Sequence, residues 1–222
     1  MMIPKTFHQV WLGPKSRHPK FVEWGKAWEA THPGWAMRLW TQSGDGTVVC
    51  GDARYASRHP EMLAKACHLS QRSNIWRYEL LEQFGGVYLD TDMEPLKNIE
   101  PLIGDEAAFA GRFVTFLDGR LQTLVSTSIF GAVAGHPWLE DLVARMPERD
   151  PTRRASLGTP YLTQVTGEHS EVALFEPDVF YPKVPFGPVN AGAVPAETYA
   201  VHHASGRWWP ESYQIPRPPA RR

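Results

Sequence analysis

Two aspartates, Asp90 and Asp92, follow a short apolar segment and are separated by one residue. Alternate side chains of an extended segment point to the same side, so this spacing aims both carboxylates in one direction. Mg²⁺ and Mn²⁺ prefer oxygen ligands and fill their remaining positions with water and phosphate oxygens. The pair therefore predicts a divalent-cation site, and a cation there would neutralise the charge that develops on a departing diphosphate.

The residues before this pair predict which secondary-structure elements position it. Residues 60–84 have the pattern of a helix, in one or two pieces, that ends at Gly85-Gly86. Val87 to Asp90 then reads as a strand of the buried kind. Open α/β sheets bind their ligands beyond the carboxyl ends of the strands. We therefore expect both carboxylates at such an edge.

The rest of the chain predicts an α/β fold. Residues 3–11 and 35–40 have strand patterns, and Pro19 to Thr31 between them has a helical pattern that begins with proline. This β-α-β order opens the nucleotide-binding sheet of many proteins. Further strands are predicted at 107–115, 124–133 and 172–181, and further helices at 136–146 and 158–165.

Length and composition indicate one globular domain. The 222 residues are 42% hydrophobic and 21% charged, with a formal net charge of -1, which favours neither nucleic acid nor an anionic membrane as a partner. We predict a single domain over residues 1–212 and a frayed, Pro- and Arg-rich tail at 213–222. Two cysteines, Cys50 and Cys67, are expected to be reduced thiols rather than a disulfide framework.

The chain shows neither a signal-peptide pattern nor a run of about 20 apolar residues. We therefore expect a cytoplasmic protein with no integral membrane segment. Peripheral association with a membrane complex stays open.

A DxD pair alone is a weak signal, because it occurs by chance in many chains. A phosphatase of the haloacid-dehalogenase type requires a small hydroxyl residue or valine where this chain has Glu94. A calcium-binding EF-hand loop is broken by Pro95. The specificity of the pair must therefore come from the segments around it.

Three separated segments together resemble the family 32 glycosyltransferases. The run from Ser73 to Tyr78, followed by Leu80 and by Gly85 to Asp92, resembles the DXD sugar-binding region of that family. Ile3 to Gly13 resembles its opening strand, and Ala200 to His203 with Trp208 resembles its closing motif. The family includes initiating mannosyltransferases of the yeast type and bacterial capsule or lipopolysaccharide sugar transferases, and it is related to the clostridial glucosylating toxins.

The resemblance implies a GT-A fold, which is a Rossmann-like nucleotide-binding sandwich with a mixed central sheet. It also implies a nucleotide-sugar donor, a Mn²⁺ or Mg²⁺ cofactor and retention of the anomeric configuration. The expected enzyme is a metal-dependent hexosyltransferase that uses a UDP- or GDP-linked sugar. Its expected acceptor is a hydroxyl group, on a saccharide of a surface glycan.

The resemblance further implies roles for individual residues. Asp90 is expected to hold the donor and touch the cation, Asp92 to ligate the cation directly, and Arg77 to bind the diphosphate or a sugar hydroxyl with its planar guanidinium. Either His202 or His203 is expected to complete the metal site. Contacts with the substrate are expected from Trp11, by stacking on the base, and from Asn74, Ser73 and Tyr88. His8 and Gln9 are expected either to reach the nucleotide of the substrate or to pack within the strand.

The chain departs from the family pattern at two positions. Asn74 stands where the family usually has Asp, and Arg207 stands before Trp208 where the family usually has Ser. Asparagine keeps hydrogen-bonding capacity but carries no charge, so the preference for a donor sugar is open. A non-catalytic nucleotide-sugar or glycan-binding domain is the alternative, and a metal-dependent phosphohydrolase is a third class.

Overall fold

The computed structural model describes residues 2–117, 119–182 and 194–204. Ten strands are present in this part of the chain: β1 (Thr6–Trp11), β2 (Ala36–Gln42), β3 (Val48–Cys50), β4 (Ala53–Tyr55), β5 (Gly86–Leu89), β6 (Met93–Pro95), β7 (Ala108–Leu117), β8 (Arg120–Ala132), β9 (Ala173–Phe175) and β10 (Ala200–His202). The helices are α1 (Pro19–Thr31), α2 (Pro60–Lys65), α3 (Leu69–Phe84), α4 (Glu100–Ile103), α5 (Pro137–Ala144), α6 (Thr159–Thr166) and α7 (Pro177–Phe180), with a 3₁₀ turn at Met146–Glu148.

Eight of these strands form one mixed central sheet in the order β4-β3-β2-β1-β5-β8-β7-β9. β1 is parallel to both β2 and β5, whereas β8 is antiparallel to β5 and β7. The β1-α1-β2 unit confirms the predicted opening. β6 and β10 form a separate antiparallel ribbon.

Hydrophobic cores cover both faces of the sheet. On one face, Trp76 and Leu80 of α3 pack with Trp138 of α5 against the sheet. On the other face, Phe7 of β1 packs with Trp28 of α1. This two-sided burial explains why β5 is buried along its whole length.

The glycine pair after α3 is required by close backbone packing. Gly85 and Gly86 have φ angles of 62° and 98°, which L side chains rarely adopt. A Cβ atom on Gly85 would lie 2.6 Å from the Ala134 backbone nitrogen, and one on Gly86 would lie 2.5 Å from the Thr6 carbonyl oxygen. The pair therefore ends the helix and lets β5 approach β1.

One predicted strand is wrong, and other predictions concern residues outside the described part of the chain. Residues 172–181 are not one strand, because β9 ends at Phe175 and Pro177 begins α7, in keeping with the preference of proline for the first helical turn. The expected tail at 213–222 lies outside the described residues, and so do Arg207 and Trp208.

Cys50 and Cys67 are free thiols. None of the helices in the described part is long and apolar enough to cross a membrane.

Candidate functional site

The two aspartates of the motif lie where β5 leaves the sheet. The backbone N–H of Asp90 still donates to the Ser128 carbonyl of β8, at 2.8 Å, so this residue is held at the strand end. Asp92 lies in the turn that leads to β6. The ribbon of β6 and β10 pairs Met93 with His202, which brings the histidine back to the aspartates from more than 100 residues away in the chain.

Asp90, Asp92 and His202 form a compact group of potential metal ligands. One ligand atom from each residue lies within 4.8 Å of the others. His202 Nε2 is 3.2 Å from Asp92 Oδ1 and 3.9 Å from Asp90 Oδ2. Two carboxylates and one imidazole suit Mn²⁺, and the carboxylates also suit Mg²⁺. The residues present therefore fit the expected cation.

The electrostatic field in this group favours positive charge. Burial by itself lowers the pKa of His202, but the carboxylates of Asp92 and Asp90 outweigh burial and raise the pKa above its ordinary value. The Ser128 hydroxyl is a further neighbour, 3.3 Å from His202 Nε2. A field that stabilises an imidazolium at this point also stabilises a divalent cation.

Arg77 of α3 supports the same strand end from the other side. Its guanidinium lies 3.3 Å from Asp90 Oδ1, donates to the Thr127 carbonyl at 2.5 Å and donates to Ser73 Oγ at 3.0 Å. Burial alone lowers the pKa of Arg77, but Asp90 and nearby tyrosines raise it, so the side chain stays charged. A buried cation next to the candidate metal group is well placed to neutralise a diphosphate.

Tyr88 and Ser73 lie behind these groups. The Tyr88 hydroxyl donates to Asp90 Oδ1 at 2.8 Å, and its ring lies under the Arg77 guanidinium, 4.3 Å from its carbon. Burial raises the pKa of Tyr88, so its hydroxyl stays a donor. Ser73 is 1% exposed and accepts from Arg77. The structure therefore gives both residues a role in orienting Asp90 and Arg77.

A cavity of about 270 Å³ opens beside Asp90 and Arg77. Asn74 lines the cavity on the same side as Arg77, and the segment from Arg154 to Pro160 forms the opposite wall. Among the described residues that line it, Asp90 is the one carboxylate. The cavity is therefore a polar space with a cationic wall next to the candidate metal group.

His8 does not face this site. Its side chain is fully buried, its Nδ1 accepts from the Trp40 indole N–H at 3.0 Å, and burial together with the charge of Arg38 lowers the pKa of His8 to about 3. The imidazole packs near the rings of Trp40 and Phe84, which also stack on each other. The expectation that His8 binds substrate is therefore not supported, because the side chain belongs to the core beneath the sheet.

Gln9 and Trp11 project from the other face of β1. Gln9 is 1% exposed and packs beside Gly25 of α1, so it too lies beneath the surface. Trp11, at the end of β1, is half-buried; its indole N–H donates to the Lys15 carbonyl at 2.7 Å. Its ring also packs edge-on against Phe21. Of His8, Gln9 and Trp11, only Trp11 is half-buried rather than fully buried.

His203 lies apart from the candidate metal group. Its ring stacks on Trp24 at 4.4 Å, and its Nε2 is 2.7 Å from the Glu94 carboxylate. Adjacent residues of an extended segment point to opposite sides, so only one histidine of the pair faces Asp92. The structure selects His202.

Some residues at the site were not expected from sequence. Thr127 contributes a backbone carbonyl to Arg77, and Ser128 contributes a hydroxyl near His202. Both come from β8, which reaches the site by pairing with β5. No sequence pattern around Thr127 or Ser128 predicts these contacts, because the contacts depend on which strand lies beside β5.

A family model described as "Glycosyltransferase sugar-binding region containing DXD motif" matches residues 20–109. Inositol phosphoceramide mannosyltransferase 3 of Schizosaccharomyces pombe is 25% identical over 148 residues. That match covers 65% of this chain but only 37% of the mannosyltransferase, so the chain spans a little over a third of its relative.

Two solved structures are similar in fold. The PaToxG glycosyltransferase aligns with a TM-score of 0.53 and 15% identity, over 76% of this chain and 70% of that one. A glycosyltransferase involved in the glycosylation of the major capsid of PBCV-1 aligns with a TM-score of 0.50 and 14% identity, over 90% and 93% of the two chains. Together the comparisons confirm the predicted resemblance and the GT-A fold.

Proposed function

We propose that this DXD-containing glycosyltransferase moves a hexose from a UDP- or GDP-linked donor to a hydroxyl group of an acceptor saccharide, with the help of a divalent cation. The observation that carries the proposal is the convergence of Asp90, Asp92 and His202 within 4.8 Å, next to the buried guanidinium of Arg77. Both a metal ion and a guanidinium stabilise the negative charge that develops on a departing diphosphate.

Asp90, Asp92 and His202 would hold the cation, which when bound supplies Lewis-acid stabilisation of the diphosphate. Arg77 contributes a second, permanent positive charge, whose position is set by Ser73 and the Thr127 carbonyl. Asp90 is itself oriented by Tyr88 and Arg77. The side chains are thus held in place by other groups of the protein, which is the condition for electrostatic catalysis.

The donor sugar is proposed to occupy the cavity beside Asn74 and Arg77. A space of about 270 Å³ with several polar side chains suits a single hexose ring better than a nucleobase. The base is proposed to lie at the end of β1, close to the half-buried ring of Trp11. This arrangement places the bond between sugar and diphosphate near Asp90.

We propose that the reaction retains the anomeric configuration by attack from the front face. The bond between the anomeric carbon and the diphosphate oxygen breaks, and the acceptor oxygen bonds to the same carbon from the same side. The acceptor proton passes to the departing diphosphate. A covalent intermediate needs a free carboxylate opposite the leaving group, and Asp90 is already engaged by Arg77 and Tyr88.

Donor hydrolysis and ligand-dependent stabilisation test the proposal. UDP- and GDP-linked hexoses, with GDP-mannose included because one relative is named a mannosyltransferase, are screened with and without Mn²⁺. A ligand that binds only the native state raises the melting temperature. We expect Mn²⁺-dependent stabilisation and slow release of free sugar by one donor.

The matched variants are Asp92→Asn and Asp105→Asn, the second at an exposed aspartate outside the motif. Asp92→Asn should lower hydrolysis by at least about 100-fold, while Asp105→Asn should match the wild type. Equal activity of wild type and Asp92→Asn would refute the proposed site. Donor binding without any turnover, with or without an acceptor, would favour the non-catalytic alternative.

A further inference from the structure

A chain of hydrogen bonds connects the cavity's two walls through a fully buried glutamine. Gln71 Nε2 donates to the Arg153 carbonyl at 2.5 Å and to Ser156 Oγ at 2.7 Å. Ser156 Oγ in turn donates its own hydrogen to the Asp150 carbonyl at 2.6 Å. Gln71 Oε1 accepts from Asn74 Nδ2 at 3.3 Å.

The chemistry of these partners determines which way both amides face. A carbonyl can only accept, so the Gln71 atom beside Arg153 must be the amide nitrogen. The Ser156 hydroxyl has already used its hydrogen, so it accepts the second hydrogen of that nitrogen. Both donors of Gln71 are then occupied, and its oxygen is the atom that faces Asn74.

The orientation of Asn74 follows from that of Gln71. Because Asn74 meets an oxygen, it must turn its nitrogen toward Gln71, which leaves its own Oδ1 as the atom offered to the cavity. The carbonyl oxygen of an amide accepts hydrogen bonds from a hydroxyl group but carries no charge. The same glutamine also fastens the segment 150–157 against α3, where Tyr78 adds a hydrogen bond to the Leu157 carbonyl at 2.9 Å.

We propose that Gln71 is a positioning residue, which turns the Asn74 carboxamide so that Oδ1 accepts a sugar hydroxyl and which holds the far wall of the cavity. The identity of the ligand as a donor sugar rests on the proposed function. The orientation of Asn74 does not rest on the proposed function, because it follows from the hydrogen bonds of Gln71. Aspartate, the family's usual residue at this position, is then unfavourable in this chain, because a carboxylate oxygen would face Gln71 Oε1.

A double-mutant cycle on stability tests the orientation without any substrate. The four proteins are the wild type, Asn74→Asp, Gln71→Met and the double variant. Asn74→Asp should lower the melting temperature by about 3–5 °C when Gln71 is present, as expected for the loss of a buried hydrogen bond. The same change should cost much less in the Gln71→Met background, where no side-chain oxygen faces position 74.

Asn98→Asp and Gln83→Met are the matched controls. Asn98 already uses its Oδ1 to accept from the Glu100 backbone N–H, so aspartate keeps that bond, and Gln83 is an exposed residue of the same helix as Gln71. Both should leave the melting temperature unchanged. An equal cost of Asn74→Asp in the two backgrounds, or no cost in either, would overturn the orientation.

If Gln71→Met does not fold, Asn74→Leu replaces it in the test. Leucine has nearly the shape of asparagine and places no oxygen against Gln71 Oε1. The Asn74→Asp variant should therefore be less stable than the Asn74→Leu variant. The reverse order would also overturn the inference.

Kinetics then separate this inference from the proposed function. Asn74→Asp should raise the KM for the sugar nucleotide about tenfold, while the Kd of the free nucleoside diphosphate with Mn²⁺ stays within about twofold, because only the sugar contacts position 74. A wild type that neither binds nor hydrolyses sugar nucleotides would refute the function, and the stability cycle would still decide the role of Gln71. A KM unchanged by Asn74→Asp in an active enzyme would refute the sugar contact.

Discussion

The Arg77 guanidinium lies 3.3 Å from the Asp90 carboxylate, and the two side chains are only 6% and 23% exposed. A buried ion pair stabilises a fold only when its remaining hydrogen-bonding groups are satisfied. Here Thr127, Ser73 and Tyr88 provide those partners. The pair therefore joins α3 to the end of β5 and, at the same time, presents one positive and one negative group at the edge of the cavity.

Arg77→Lys should damage both activity and stability. The planar guanidinium reaches a carboxylate, a carbonyl and a hydroxyl in three directions, and an ammonium group has neither the reach nor the fork geometry to replace it. We expect at least about a 100-fold loss of donor hydrolysis and a loss of about 2–3 kcal/mol in the free energy of unfolding. Urea denaturation and initial rates measure the two effects.

Arg54→Lys is the control for that substitution. Arg54 pairs with Asp45 in an exposed contact near the β4 edge of the sheet, where a lysine can serve as well. A wild-type rate in Arg77→Lys would contradict the role of the guanidinium at the leaving group.

His202→Ala and His203→Ala should differ strongly in their effect on Mn²⁺ binding, although the two residues are adjacent. His202 lies with the two aspartates, whereas His203 stacks on Trp24 and pairs with Glu94. We expect His202→Ala to weaken Mn²⁺ binding by about 10–100-fold, since a ligand is removed, and His203→Ala to change it by less than about threefold. Calorimetric titration with Mn²⁺ measures both; equal losses would argue against the assignment of His202.

Gly86→Ala should prevent normal folding. The residue has a φ of 98°, and the added Cβ would lie 2.5 Å from the Thr6 carbonyl oxygen, inside a parallel strand pair that cannot separate without breaking the sheet. Gly46→Ala tests the contribution of backbone conformation alone, because Gly46 also has a positive φ but no heavy atom within 4 Å of the added Cβ. Circular dichroism and thermal melting should show a large loss of folded structure and stability for Gly86→Ala and a small loss for Gly46→Ala.

Glu79→Gln should stabilise the protein at alkaline pH. Glu79 is fully buried, and burial raises the pKa of its carboxyl to about 7, despite a hydrogen bond from the Ser57 hydroxyl at 2.8 Å. The unfolded chain has a lower pKa, near 4.5. Above pH 7 both states are ionised and the folded state carries the cost of a buried charge; below pH 4.5 both are protonated and the cost is absent.

The advantage of Glu79→Gln should therefore grow as the pH rises from 4.5 to 7 and stay constant above it. Each unit of difference in pKa corresponds to about 1.4 kcal/mol. Unfolding in urea at about pH 5 and about pH 8, on the two sides of the raised pKa, measures the effect. An advantage that is the same at both pH values would show that the carboxyl of Glu79 titrates normally.

Local patterns predicted most of the elements near the site. The helix that ends at Gly85-Gly86 and the buried strand after it depend on residues close together in sequence, and they appear as expected. The β1-α1-β2 opening follows for the same reason. Such features can be predicted because turn preferences and side-chain periodicity act over a few residues.

The tertiary structure decided which residues face one another. His8 was a candidate for the substrate site, and only the packing of Trp40 and Phe84 around it shows that it belongs to the core. The sequence by itself determined that two aspartates and a histidine pair exist. The register between β6 and β10 chose His202 over His203, because a strand turns neighbouring side chains to opposite faces and its register is set by a partner far away in the chain.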